Sequence, residues 1–417
     1  MRILIVGNGA AGNQAAVSLR KLDSSCEIVM LAEQNYPNYS ACALPDVLAG
    51  WIPLKKTFLM AEEDYSRLNI ETNFGLEVNQ LNLTEQCLQA GELLYHYDRL
   101  ILATGSQPVI PALPGSELPG NFVVKTPGDI EGILAHGPQQ VVVVGAGNIG
   151  VETASALKNR GCKVTLVEMQ DRIMPLLYDH KPATIIQSML EEEGIEVVTG
   201  DRVIGISGDS QIELIHTQGQ DINADTVIWA AGVKQNTHIA RAAGLSIGSL
   251  GGIQVDTQMQ SSAEGVFACG DCVQSFQVFT RKPCLSLLWS SAKRQAQVAA
   301  RNCLGYLDKY EGSCSLVIEE IMGIPCVAMG LNLEALQGYE AEVVEHHAED
   351  GYFRVLIVED KIAGFQGVGS IEGAGAIFTM IKKKTPISES KRVLLNRGLI
   401  PSMAWYIDSR RYLSSQY

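Results

Sequence analysis

The sequence predicts an α/β chain with two Rossmann-like, doubly wound parallel sheets, and three observations lead to that reading. An apolar run leads into a glycine-spaced turn and a helical pattern at ILIVGNGAAGNQAAVSLRKL, from Ile3. The same pattern returns at VVVVGAGNIGVETASALKNRG, from Val141. Each copy is followed by another strand ending in small residues, LILATGS at 100–106 and VIWAAGV at 227–233, so the repeat spans whole sub-domains.

In the first copy, residues 2–6 read as a buried parallel strand. Gly7, Gly9 and Gly12, with Ala10 and Ala11 between them, allow a tight turn and a close backbone approach to a pyrophosphate at a helix N-terminus. The next strand, EIVMLAE, ends at Glu33, 21 residues after Gly12, where a carboxylate can accept hydrogen bonds from an adenosine ribose. In the second copy Gly145, Gly147 and Gly150 enclose Asn148 and Ile149, and CKVTLVE brings up Glu168, 18 residues after Gly150. A carboxylate there suits a free 2′-hydroxyl and repels a 2′-phosphate. Met169, Gln170 and Asp171 supply no basic cluster before Arg172, so NADH is expected over NADPH. Two such dinucleotide-binding domains in one chain predict one bound redox cofactor and one diffusible one.

Composition excludes several other classes. The 417 residues suffice for two or three domains, and 46% hydrophobic with 19% charged residues is the balance of a globular chain. A net charge of −14 argues against nucleic acid as a partner, and no apolar run is long enough to span a bilayer. The N-terminus runs straight into an apolar strand without a signal-peptide pattern, which sets a cytoplasmic expectation. From Lys382 onward eight basic residues face only Glu389 and Asp408, a local +6 that leaves −20 on the rest. Such a tail reads as a solvated stretch or as a dock for an acidic partner.

Ten scattered cysteines fit reduced thiols better than a disulfide framework. Cys42, in NYSACALPDVLAG, stands between small residues and reads either as a redox thiol or as a small side chain that packs or lines a cofactor. Cys269 and Cys272 have CxxC spacing without a second pair to complete a tetrahedral site, so packing is expected and no metal is assigned. His346 and His347 stand alone and read as surface.

GNGAAG, LATGS, GAGNIGVE and GVFACGD, in that order and spacing, resemble the motif set of the FAD-dependent pyridine nucleotide-disulfide oxidoreductase superfamily over roughly residues 1–305. The resemblance implies that Gly7, Gly9, Ala10, Ala11, Gly12 and Glu33, with Ala103, Thr104 and Gly105, bind FAD, and that Gly270 and Asp271 hold its ribityl and pyrophosphate region. It implies that Gly145, Gly147, Asn148, Ile149, Gly150, Glu168 and Gly232 bind NADH, with Glu152 near the nicotinamide. The helix in LSLLWSSAKRQAQVAARNCLG would aim its positive end at the flavin. The implied organisation is a discontinuous FAD domain at 1–108 and 235–305, an NAD(H) domain at 109–234, and a C-terminal α+β interface domain at 306–417.

CALPDVLAG is similar to the single-cysteine branch of the superfamily, which contains CoA-disulfide reductases and NADH oxidases, whereas Tyr39-Ser40 resembles the loop of rubredoxin reductase-like proteins. Ala10 and Ala11 stand where peroxidases and oxidases of that branch carry a histidine, which speaks against peroxidase chemistry. No cysteine follows Cys42 at CxxxxC spacing, which speaks against thioredoxin-type reduction. After Gly367 the usual closing helix pattern of the interface domain is not expected. Homodimer and hetero-oligomer both stay open, the latter through Trp405, Tyr406, Arg410, Arg411, Tyr412 and Tyr417. The implied function is electron transfer between NADH and an iron-sulfur protein or another subunit. The alternative is a CoA-disulfide or polysulfide reductase using Cys42. A flavin-carrying scaffold with a silent nicotinamide site is a third reading, opposed by two acids and six glycines in place.

Overall fold

The apolar run Arg2–Val6 becomes the middle strand of a five-stranded, wholly parallel sheet ordered Val266–Ala268, Arg99–Leu102, Arg2–Val6, Glu27–Ala32, Ile70–Phe74. Ile3 and Ile5 point to one face, where they meet Ala15 and Leu19 of the helix Ala10–Leu22 and Ala296 and Ala299 of the helix Trp289–Cys303. Leu4 and Val6 point to the other face, among Leu88, Tyr95, Ile239 and Val273. A strand covered on both sides has no polar side to show, which is why it reads as an unbroken apolar run. The two helices pack together through alanine-rich stripes, which let their backbones approach closely.

The structure is a computed structural model that describes residues 1–348, 351–369 and 373–387. The chain divides into two units. The sheet above belongs to the first, which gathers Met1–Leu44, Ile52–Pro108 and Val233–Ser313. The second gathers Pro45–Trp51, Val109–Gly232 and the described residues from Cys314 onward.

The second unit repeats the plan of the first. Its parallel sheet is ordered Glu196–Thr199, Lys163–Glu168, Gln140–Val144, Thr226–Trp229, Asn121–Val123. The helix Asn148–Asn159 follows the middle strand. The same unit holds an antiparallel sheet ordered Leu316–Ile321, Ile324–Gly330, Lys361–Gly369, Gly351–Val358, Glu342–Ala348. Asp179, 5% exposed, ties this sheet to the start of the helix His180–Glu192. Its backbone N–H donates to Gln366 Oε1, its carboxylate accepts from Gln366 Nε2 at 2.9 Å and from Leu333 N–H, and Arg354 pairs with it at 3.1 Å.

The expectation of no closing helix is corrected: Ala374–Lys383 is helical and packs on the antiparallel sheet. Ala374, Ile377 and Ile381 recur at three- and four-residue spacing and bury one face, a short amphipathic signal beside the basic run. His347 is exposed and His346 half-buried against Phe353. Trp405, Tyr406, Arg410, Arg411, Tyr412 and Tyr417 lie outside the described residues. Among the described residues no helix is long and apolar enough to cross a membrane.

Candidate functional site

Each parallel sheet ends its middle strand in a glycine turn, and the two turns have the same geometry. Gly7 and Gly145 have φ of 111° and 99°, a conformation that favours glycine. A methyl at Gly7 would stand 2.1 Å from the Ala103 carbonyl oxygen and one at Gly12 would stand 1.9 Å from that of Gly7. In the second turn a methyl at Gly145 would stand 2.5 Å from Ala230 O and one at Gly150 would stand 1.8 Å from Gly145 O. These four glycines hold the turn against its own strand and helix. Gly9 and Gly147 differ from them, because a methyl there meets nothing within 4 Å.

Gly9 and Gly147 are also the residues that open the two helices, both with extended backbone and neither with a side chain capping the free N–H groups. No acidic residue occupies either first turn. An uncapped helix start with a bare glycine beside open space fits a phosphate group, through several N–H donors and the positive end of the helix dipole. Asn148 and Ile149 are the first helical residues of the second turn, and Ile149 is exposed.

In the first unit other expected residues gather around this turn. Gly270 leans on the glycine helix, since a methyl there would stand 2.9 Å from Ala11 Cβ, and its N–H donates to Gln295 Oε1 at 2.8 Å. Asp271 accepts a hydrogen bond from Ser106 Oγ at 2.9 Å. Thr104 Oγ1 donates to the Asn236 carbonyl at 2.6 Å, and Asn236 Nδ2 donates back to the Thr104 carbonyl. Gly105 has φ of 69° and open space at its Cβ position, as Gly232 has in the second unit with φ of 94°.

The two acids that the sequence treats alike are placed differently. Glu33 is exposed just past the strand Glu27–Ala32. Glu168 is 7% exposed, and its carboxylate accepts from Ala146 N–H at 2.7 Å and Gln170 N–H at 2.8 Å, tying the glycine turn to the end of its own strand. Arg172, the first basic residue after Glu168, is engaged by Asp171 and by Glu334 at 2.9 Å.

Cys42 lies on the 3₁₀ turn Ala41–Ala43 and is the one exposed cysteine of ten. Eight of the others are buried and Cys284 is half-buried. Cys42 thus differs in exposure from the eight cysteines that pack inside the protein. Cys269 and Cys272 are fully buried, Cys272 Sγ donates to backbone carbonyls, and burial pushes the Cys269 thiol well up.

Sequence reasoning missed the network under the first turn. Asn13, 4% exposed on the glycine helix, donates to Asn8 O at 2.6 Å, and Tyr65 OH donates to Asn13 Oδ1 at 2.7 Å. Asn38 N–H donates to Tyr65 OH, joining the segment that leads to Cys42 to the same cluster. Burial pushes the Tyr65 hydroxyl up to about 12, so it stays a donor. The available signal was a polar residue, Asn13, on the buried face of an alanine-rich helix.

Comparison with known proteins agrees with this geometry. The chain is 36% identical over 342 residues to an NADH oxidase of Methanocaldococcus jannaschii, covering 79% of this chain and 76% of that protein. It is 28% identical to the assimilatory nitrate reductase electron transfer subunit of Bacillus subtilis, over 94% of this chain and 51% of that longer protein. Among solved structures, an NAD-dependent persulfide reductase from A. fulgidus superposes with a TM-score of 0.87 at 28% identity, covering 92% of this chain and 77% of the other. Residues 1–302 match the pyridine nucleotide-disulphide oxidoreductase family, and the chain belongs to it.

Proposed function

We propose that the chain is a FAD-dependent NADH oxidoreductase that passes electrons to a redox protein such as an iron-sulfur protein or a partner subunit. The observation that carries this reading is the pair of uncapped glycine turns, each with one glycine facing open space. The first unit holds FAD: N–H groups at the start of Ala10–Leu22 bind its pyrophosphate, Glu33 its ribose, and Asp271, steadied by Ser106, its ribityl region. FAD accepts electrons in pairs and releases them singly, the chemistry such a transfer needs. The second unit holds NADH at Gly147, and Glu168 stiffens that turn. NADH is favoured over NADPH because Arg172, committed to Asp171 and Glu334, is unavailable to a 2′-phosphate. The Bacillus subtilis electron transfer subunit, similar over nearly the whole of this chain, supports the protein acceptor.

The exposure of Cys42 favours a second reading, reduction of a CoA disulfide or polysulfide. A Cys42 thiolate would attack one sulfur and release the other as a thiolate or shorter polysulfide, and the electron pair from NADH would then reduce the mixed disulfide. Resemblance to the persulfide reductase is consistent with it.

An anaerobic NADH titration of the flavin-loaded protein tests both readings. Protein electron transfer expects bleaching at about one NADH per flavin, unchanged in Cys42→Ser, and reduction of an added ferredoxin or rubredoxin. Excess NADH consumption that disappears in Cys42→Ser establishes the thiol reading instead. If NADH leaves the flavin oxidised, both fail.

A further inference from the structure

Glu319, on the strand Leu316–Ile321, is 7% exposed, and neither of its carboxylate oxygens has a hydrogen-bond partner. An ionised carboxylate in that position is strongly disfavoured, so something must neutralise it. Two more carboxyl groups come to the same place within the second unit. Glu152 arrives on the helix Asn148–Asn159, which packs on the strand of Glu319. Asp46 arrives on the short helix Leu44–Ala49, whose last carbonyls are held from the far end of Asn148–Asn159. There Arg160 donates to Leu48 O and Val47 O, and Asn159 to Ala49 O.

Among the described residues no cation answers these acids. Among the described residues no Lys, Arg or His is paired with Glu152 or Glu319, and the titratable groups coupled electrostatically to Glu319 are Glu152, Cys326 and Tyr178. Cys326 is its direct cross-strand neighbour and is fully buried, with Sγ donating to Ile324 O. Asp46 is influenced in turn by Glu320, which is exposed. Among the described residues no group of three or more His, Cys, Asp or Glu is placed to hold a metal ion.

We propose that Glu319 and Glu152 form a proton-binding carboxyl pair, which keeps a proton at neutral pH. Electrostatics agrees with the geometry. Burial, with the Glu152 charge added, pushes Glu319 up to about 8, and burial with the Asp46 charge added pushes Glu152 up to about 7. Through Glu152 the pair joins the helix that opens at the second glycine turn, while Glu319 stays on its strand. On the NADH reading above, its charge state depends on the redox state of the bound nucleotide. Oxidised nicotinamide is cationic and reduced nicotinamide is neutral, so NAD⁺ binding draws the proton off to solvent and NADH binding does not.

Infrared pH titration of the full-length protein without nucleotide tests the pair directly. A protonated-carboxyl band is expected at about pH 7, fading toward about pH 9. That band should be lost in Glu319→Gln and should fade at lower pH in Glu152→Gln. Its absence from the wild-type protein, or its persistence unchanged in both variants, overturns the pair. Proton release followed with an indicator dye, beside calorimetry, tests the coupling. NAD⁺ should release protons, NADH should not, and the release should be lost in Glu319→Gln. Heat of NAD⁺ binding without proton release overturns the coupling. No heat at all counts against the nucleotide reading, while the infrared band still decides the pair.

Discussion

A methyl group at Gly150 would overlap the Gly145 carbonyl oxygen at 1.8 Å, whereas one at Gly147, three residues earlier and with φ of −71°, touches nothing. In the sequence these glycines look equivalent, and only the packed turn separates one that holds the fold from one that leaves room for a ligand. Gly150→Ala should therefore destabilise the second unit by about 1–3 kcal/mol, read by denaturant unfolding. Gly147→Ala should leave the melting temperature in place and weaken NADH binding about tenfold, or ~1.4 kcal/mol, read by calorimetry. Loss of stability in Gly147→Ala with unchanged affinity would contradict that division. The two acids teach the same lesson. The spacing located Glu33 and Glu168 at strand ends, but it could not tell that one lies open and the other receives two backbone N–H groups, since that depends on how the following loop turns. Asn13, Tyr65 and Asn38 left no periodic signal because a buried polar cluster is defined by partners distant in sequence.

At the scale of elements, the two parallel sheets were legible because both faces of each middle strand are covered, which leaves a plain apolar run before each glycine turn. The helix Ala374–Lys383 was not, since a short apolar stripe running into three lysines resembles a solvated tail until a sheet is there to receive it. What fastens that sheet within its unit is equally non-local. Asp179 meets Gln366, Leu333 and Arg354, which lie more than 150 positions downstream. Asp179→Ala strips the half-buried Arg354 of one carboxylate, leaving Glu345 at 3.0 Å, and should cost about 3 kcal/mol in unfolding free energy. Asp179→Asn, which keeps the shape, should cost less. Equal stability of Asp179→Ala and wild type would show that the sheet is held by apolar packing alone.

For the molecule as a whole, the acids of the second unit set a pH dependence whose sign follows from their direction. Glu152 and Glu319, raised from 4.5 to about 7 and about 8, bind protons more tightly folded than unfolded. Their contribution is complete below about pH 4.5 and is lost as pH rises through about 7 and 8, a fall on the order of a few kcal/mol. The melting temperature should therefore decline from about pH 5 to about pH 9, and Glu319→Gln should flatten the decline and be the more stable protein at the alkaline end. A slope identical in wild type and Glu319→Gln would count against it. The repeat made two sheets evident in the sequence, and the strand order shows how a distant segment completes the first of them. That order has a consequence for how the chain is made. Arg99–Leu102 pairs on one side with Arg2–Val6 and on the other with Val266–Ala268, so a nascent chain emerging N-terminus first presents an unpaired strand edge while the intervening segment is synthesised. Until Val266–Ala268 leaves the ribosome, that edge is open to wrong partners, and the cell must either shield it or translate past it quickly.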